Sequence, residues 1–197
     1  VNAGADAIYL GGEEYGARAY ASNFSKEELC EAICYAHLFG VKVYLTVNTL
    51  VKEREFGRLN DFIRPFYDAG LDGVIVQDLG VLYQLHDDFK GLELQMAIAS
   101  SYGAGFLKSF DVCRIVPARE LSMDELNHIR KKVKIDMEVF IHGAMCYCYS
   151  GHCLYSSFLG GRSGNRGRCA GPCRLPFDAF GQKEVYPLSL KDMCTIS

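Results

Sequence analysis

The chain has 197 residues, 49% of them hydrophobic and 23% charged, with a formal net charge of -3 at pH 7. That length supports one domain with a core of its own, and that composition excludes a disordered or fibrous chain. The slightly acidic balance argues against indiscriminate nucleic-acid binding without excluding a local basic groove; no apolar run reaches the ~20 residues of a membrane helix, so the expected compartment is the cytoplasm.

Val1 to Gly4 read as a helix end, small and apolar residues running into a glycine, so more of that helix and a strand are expected upstream. Ala7 to Leu10 is then an apolar strand. A Gly-rich loop follows from Gly11 to Arg18, and Ser25 with Glu28 forms a capping box for a helix reaching Phe39-Gly40. Leu29, Ile33, Ala36 and His37 share one face of it. Cys30 and Cys34 are expected to pack on a neighbouring face, and His37 to end the helix rather than ligate a metal.

Val41 to Val47 is the next strand, and Phe56, Leu59, Phe62, Ile63 and Phe66 mark a helix that tolerates Pro65 only near its end or with a kink. The opening pattern then returns. Ala69-Gly70-Leu71-Asp72-Gly73-Val74-Ile75-Val76 repeats Ala3-Gly4-Ala5-Asp6-Ala7-Ile8-Tyr9-Leu10. Leu92 to Ile98, Val112 to Val116 and Ile135 to Ile141 add three strands, with helices at Leu79 to Leu85, Tyr102 to Phe110 and Ser122 to Val133, the last opened by a capping box of Ser122 and Glu125.

Strands apolar at nearly every residue, each followed by a helix, point to a parallel sheet covered by helices. None is followed by a GxGxxG fingerprint. The expectation is an α/β fold, a (beta/alpha)8 TIM-like barrel incomplete at both ends, spanning residues 1–143 and followed at 144–197 by a Cys-rich segment packed on the same domain. In such a barrel the site forms at the C-terminal ends of the strands. Glu13, Arg18, Asn48, Gln77, Asp78, Arg119, Glu120, His142 and Cys146 stand there, Gln77-Asp78 reading equally well as a helix cap. Alternation turns Glu138 toward the barrel interior, where a carboxylate needs Arg or Lys as partner.

From Glu138 to Arg174 the sequence is EVFIHGAMCYCYSGHCLYSSFLGGRSGNRGRCAGPCR, with five of the nine cysteines. A strand delivers Cys146, Cys148 and Cys153 into a loop that continues through Gly160 to Arg168, four glycines and three arginines in nine residues. Such a loop buries no core, and bound metal would supply its folding energy. The thiol spacings are irregular, unlike the paired cysteines of a zinc ribbon, and favour an iron–sulfur cluster. Zinc held by four cysteines, or by three with His142 or His152, stays open, as do disulfides and thiols that only pack. Phe177 to Phe180, a turn at Gly181 and Val185 to Leu190 read as a hairpin bringing Cys194 back to the loop.

This segment resembles the signature of the collagenase-like peptidase family, peptidase family U-thirty-two, whose pattern runs Glu-x-Phe-x-His-Gly, Cys, Ser-Gly-x-Cys and GGRSGNRG-x-Cys-Ala-x-Pro-Cys-Arg. AGADAIYLGG with YGAR, VKVYLTVNTL, GVIVQDLG, RIVPARELS and LSLKDMC resemble its other blocks in order. The resemblance implies strands before and after this stretch. It also implies an iron–sulfur protein, several such members being oxygen-independent hydroxylases of a tRNA uridine, a ribosomal RNA cytidine or the ubiquinone ring, with prephenate as hydroxyl donor for the RNA enzymes. The ligand set it implies is Cys146, Cys153, Cys169 and Cys194 on one 4Fe–4S cluster, with Cys173 competing for the last place.

The partners expected are therefore RNA and a prephenate-like donor, with a protein partner as a further candidate. Arg18, Arg119, Arg162, Asn165 and Arg166 are the candidates to hold carboxylates or phosphates, and His142, Glu138 and Arg18 the candidate catalytic residues. The arginine–glycine loop, Gly160 to Arg168, is expected to be where substrate meets cluster. The alternatives are a collagenase-like peptidase, using Cys146 with His142 or Cys153 with His152, and a non-catalytic cluster-binding subunit. One block departs from the family. Where members commonly carry His-x-Ser-Thr-Gln, this chain has Gln95-Met96-Ala97-Ile98-Ala99, losing polar groups toward substrate.

Overall fold

Alternating apolar strands and amphipathic helices leave each strand flanked by strands of the same direction. Six of them lie side by side in chain order: β1 (Ala7–Gly11), β2 (Lys42–Val47), β3 (Gly73–Val76), β4 (Glu93–Ile98), β5 (Arg114–Pro117) and β6 (Asp136–Met137), every neighbouring pair parallel. Their connections carry α1 (Lys26–His37), α2 (Glu53–Phe56), α3 (Leu59–Asp68), α4 (Leu79–Asp88), α5 (Ser101–Lys108) and α6 (Met123–Val133). The computed structural model describes residues 1–143, 146, 148–150, 152–179 and 181–186.

Strand side chains alternate between faces, and here the faces differ in kind. Val43, Leu45, Val74, Val76, Leu94 and Ile115 join Leu29, Ile33, Leu59, Ile63, Leu82, Leu107 and Ile129 of the helices in one buried cluster. A doubly wound sheet covers both faces and reverses its strand order at a switch point. This sheet does neither among the described residues: order is sequential and helices gather on one side. No ladder joins β1 to β6 among the described residues; of the barrel expected from the sequence, incomplete at both ends, six parallel strands are seen.

The opposite face is polar. Gln95 is completely buried, and its amide donates to Glu138 Oε2 at 3.2 Å while its carbonyl accepts from Arg114 Nη1 at 3.2 Å. Arg114 Nη1 lies 4.0 Å from Glu138 Oε2, the cationic partner that an inward carboxylate needs. Beside them Glu93 accepts from Lys42 Nζ at 2.5 Å and from the Tyr44 hydroxyl at 2.6 Å. Burial alone would raise the Glu93 carboxyl; these donors outweigh it and leave it below the usual carboxylate value.

Local signals are matched at the helix starts and in the internal repeat. Both capping boxes form, Ser25 with Glu28 and Ser122 with Glu125. The repeated glycines Gly4 and Gly70 both adopt left-handed φ, +79° and +94°, before parallel strands. Pro65 sits near the end of α3, with its carbonyl accepting from Ala69. Cys30 packs against the core with its thiol on the Pro65 carbonyl, whereas Cys34 is exposed rather than packed, and His37 closes α1 with its ring 2.9 Å from Asp72.

Other boundaries differ from expectation. The helix predicted through Phe56 to Phe66 breaks at Gly57-Arg58, because the first turn is tied to loops elsewhere through Glu55. The strand predicted over Ile135 to Ile141 pairs only at Asp136–Met137: a strand with a neighbour on one side leaves the ladder after Glu138 N–H reaches Ile115. The stretch read as loop contains α7 (Tyr155–Gly160), stopped by Gly161 in left-handed φ, an apolar-then-glycine stop signal present in the sequence. The hairpin forms as β7 (Phe177–Ala179) and β8 (Gln182–Val185), its second strand starting earlier than predicted. Cys194 and most of the run to Leu190 lie outside the described residues.

Gly73 faces the polar side, where an added Cβ would collide with the Glu93 carbonyl and stand 2.8 Å from the Tyr44 ring. Gly73→Ala should therefore lower the unfolding free energy by about 2–3 kcal/mol in denaturant titration. Gly105→Ala, in α5 with open space around it, should raise it by about 0.5–1 kcal/mol.

Candidate functional site

Glycines and small polar residues end the first two strands, and their loops are held by side chains rather than by a ladder. Asn48 Oδ1 accepts from Ala17 N–H at 2.9 Å, Thr49 Oγ1 donates to the Tyr15 carbonyl at 2.9 Å, and the Tyr15 hydroxyl donates to the Glu55 carbonyl at 3.0 Å. Onto these loops docks the arginine–glycine segment. Leu50 N–H donates to the Asn165 carbonyl and Ala19 N–H to the Gly167 carbonyl. Gly167 is buried at φ +73°, and a Cβ there would collide with the Gly16 carbonyl, so close backbone approach requires glycine.

Arg166 locks the junction. Its two terminal nitrogens reach both oxygens of Glu55, at 3.0 and 2.7 Å, and Nη1 also donates to the Leu50 carbonyl at 2.8 Å. The Arg166 fork, followed by the Lys52 backbone N–H, lowers the Glu55 carboxyl to about 2. Arg166 and Asn165, expected to hold substrate, are thus engaged in tying segments 111 and 115 residues apart, Asn165 through its carbonyl. Glu55 carried no motif, and no local signal pairs it with Arg166.

Beside this junction a cleft of about 470 Å³ opens over the strand ends. Arg18 from the β1 loop, Asn48 from the β2 loop, Arg119 from the β5 loop, and Glu138 and His142 after β6 bring its polar groups together. Tyr9, Phe24, Ile75, Val116 and Phe140 supply its apolar walls, and Arg119 lies over the Phe140 ring at 4.7 Å. Tyr9 was not singled out in the sequence, although alternation in its strand signals a side chain turned away from the helices. Residues from β1 and from beyond β6 line one cavity, so the sheet curls until its edges face each other across it. The Gln95–Arg114 pair beneath fixes the orientation of Glu138. Gln95 therefore lies under the floor, and β4 contributes nothing to the lining.

The remaining strand-end candidates have other places. Asp78 caps α4, accepting from Gly80 and Val81, and receives Val51 N–H as well. Glu120 accepts from Ser150 N–H at 2.8 Å and from its hydroxyl. Glu13 borders a smaller cavity of about 210 Å³ with Arg58 and Arg168. Arg162 stacks on Tyr20.

Among the described residues the cysteines are free thiols and none forms a disulfide. A Cβ on Gly164 would stand 3.6 Å from the Cys169 side chain and 3.9 Å from the Cys153 carbonyl, so the three lie close together. Burial raises the Cys173 thiol, Arg174 opposes it, and the nearby Cys169 and Cys146 raise it further. Cys169 Sγ accepts from Gly171 N–H at 3.3 Å, the amide-to-sulfur bond that thiolate ligands commonly take. Among the described residues no three His, Cys, Asp or Glu side chains are set as one metal ion needs, and no helix is long and apolar enough to cross a membrane. The donor set fits a thiolate-bound centre in residue type, with Cys194 outside the described residues.

The family model for Peptidase family U32 matches residues 1–197. The chain is 40% identical over 199 residues to the 23S rRNA 5-hydroxycytidine C2501 synthase of Escherichia coli (strain K12), covering 96% of this chain and 30% of that protein. It is 36% identical over 184 residues to tRNA hydroxylation protein P1 of Bacillus subtilis (strain 168), covering 91% and 44%. It thus spans about a third to under half of the length of these relatives. The solved structure of the U32 peptidase Mk0906 aligns with a TM-score of 0.60 at 17% identity, over 71% of this chain and 62% of that one, a likeness of fold.

Glu55 titrates at about 2 when folded, against an ordinary 4.5, so its stabilisation is complete above pH 4.5 and is lost as pH falls toward 2. Denaturant unfolding followed from neutral pH downward should show wild type losing stability in that window more steeply than Glu55→Gln. A double-mutant cycle with Arg166→Lys, which keeps charge and loses the fork, should give a coupling of about 1–2 kcal/mol.

Proposed function

Because this chain belongs to peptidase family U32, we propose that it carries the substrate cleft and thiol segment of an iron–sulfur-dependent, oxygen-independent hydroxylase that modifies tRNA or ribosomal RNA with a prephenate-like hydroxyl donor. The observation that carries this reading is the cleft itself: two arginines from separate strand ends and the aromatic side chains of Tyr9, Phe24 and Phe140 line one space of about 470 Å³. Cations together with aromatic walls suit a small dicarboxylate or a nucleobase with its phosphate. The names of the two RNA-modifying relatives support the same substrate class.

In this reading Arg18 and Arg119 hold carboxylate or phosphate oxygens, and the aromatic walls exclude water and orient the ring. Glu138, steadied by Gln95 and Arg114, accepts or returns a proton at the cleft floor, with His142 as the second proton-carrying group. A 4Fe–4S cluster on Cys146, Cys153, Cys169 and Cys194, with Cys173 competing for the last place, supplies electron transfer or substrate activation when bound. The six strands are read as part of a (beta/alpha)8 barrel completed by chain outside this stretch, with 1–143 as the barrel part, 144–197 as the cluster segment and the cytoplasm as its compartment. Zinc at the same thiols and peptide hydrolysis, which the family description names, are the competing readings.

Two measurements test this. Protein purified without oxygen should be brown and contain about four iron and four sulfide per chain; stoichiometric zinc without iron would replace the cluster by a structural zinc site. Nucleosides of tRNA and ribosomal RNA from a deletion strain, compared by mass spectrometry with and without prephenate synthesis, should lack one hydroxylated pyrimidine in both deficient conditions. Unchanged hydroxylation in both RNAs, with peptide cleavage by the purified protein, would favour the hydrolase.

A further inference from the structure

We propose that Tyr20, backed by Arg162, is a stacking platform for an unpaired RNA base at the rim of the cleft. The inference rests on the RNA reading above and narrows its substrate to a nucleotide in a loop or single strand. Tyr20 is 65% exposed, on the loop between β1 and α1 whose neighbouring Arg18, Ala21 and Ser22 line the cleft. Arg162 covers one side of the ring, its Cζ 4.6 Å from the centroid. What sets Tyr20 apart from the other exposed tyrosines is its place on the loop that lines the cleft together with the guanidinium on its ring.

The loop is hydrogen-bonded on both sides of Tyr20. Ala17 N–H is held by Asn48, Ala19 N–H by the Gly167 carbonyl, Ala21 N–H by the Arg18 carbonyl, and Asn23 Nδ2 donates to the same carbonyl. Arg162 is anchored from its own side through its N–H on the Ser156 carbonyl. Its Nε is buried and finds no partner among the described residues, so the face that Arg162 offers is the guanidinium plane laid on the Tyr20 ring. An exposed aromatic ring stacked on Arg162, on the loop that carries Arg18 into the cleft, combines a π-face for a base with cations for the adjoining phosphates, the pattern of single-strand recognition. A base paired in a duplex cannot offer its face to such a ring.

The test uses the full-length protein and two probes, a fluorescein-labelled single-stranded RNA decamer and the duplex of the same sequence, with binding followed by anisotropy over a salt series. The single strand should bind more tightly than the duplex. Tyr20→Ala and Tyr20→Leu should weaken it about 5- to 150-fold, the range of one lost base stack, with the salt dependence unchanged. Tyr20→Phe should bind within about twofold of wild type, since the ring and not the hydroxyl makes the contact. Arg162→Ala should weaken binding and reduce the salt slope by about 1. Wild-type affinity in Tyr20→Ala overturns the platform and leaves the RNA reading standing. Equal loss in Tyr20→Phe and Tyr20→Ala, or duplex bound as tightly as single strand, overturns it as well. A wild-type protein that binds neither probe overturns both.

Discussion

The junction between the arginine–glycine segment and the loops of the first two strands is the constraint on which the site depends. Those loops carry few apolar residues, and burying a backbone without a ladder leaves donors and acceptors that must be satisfied individually. Arg166 satisfies the Leu50 carbonyl and both Glu55 oxygens, while Gly167 lets two backbones approach where any side chain would collide. Because Arg18, Asn48 and Tyr20 stand on the loops held this way, the same contacts that seat the thiol segment set the mouth of the cleft.

A second constraint lies beneath. The face of the sheet away from the helices is filled by Lys42, Tyr44, Glu93, Gln95, Arg114 and Glu138, and each acidic group has donors from a different strand or loop. Such a network costs free energy if any member is missing, and it fixes side-chain orientation when all are present. That is how Glu138 comes to present its carboxylate to the cleft, and why Gln95 can be wholly buried with both ends of its amide satisfied. The thiol segment adds a third element, with Cys173 within electrostatic reach of both Cys169 and Cys146.

What could be read from the residues alone was whatever depends on neighbours a few positions apart. The six strands and the helices between them follow from periodicity, the helix starts from Ser25 and Ser122 with their glutamates, and the repeat of Gly and Asp before β1 and β3 from backbone geometry that recurs. Strand-end placement likewise assigned Arg18, Asn48, Arg119 and His142 to one region, and alternation turned Glu138 inward toward a cation. The type and number of thiols belong to the same local record.

Only the tertiary structure decided which of those groups meet. Glu55 pairs with Arg166 across 111 residues, Gln95 joins Arg114 to Glu138 across three strands, and Asp78 turns out to be a cap while Arg119 faces the cavity. Asn165 and Arg166 read as substrate groups because a Gly–Arg loop offers cations and open backbone. In the fold, the charge of Arg166 is taken by a carboxylate that no sequence window contains. The physical reason is one of range: dihedral preference and side-chain periodicity act within a turn or two, whereas partner choice depends on where separate segments arrive once the sheet curls and the loops dock.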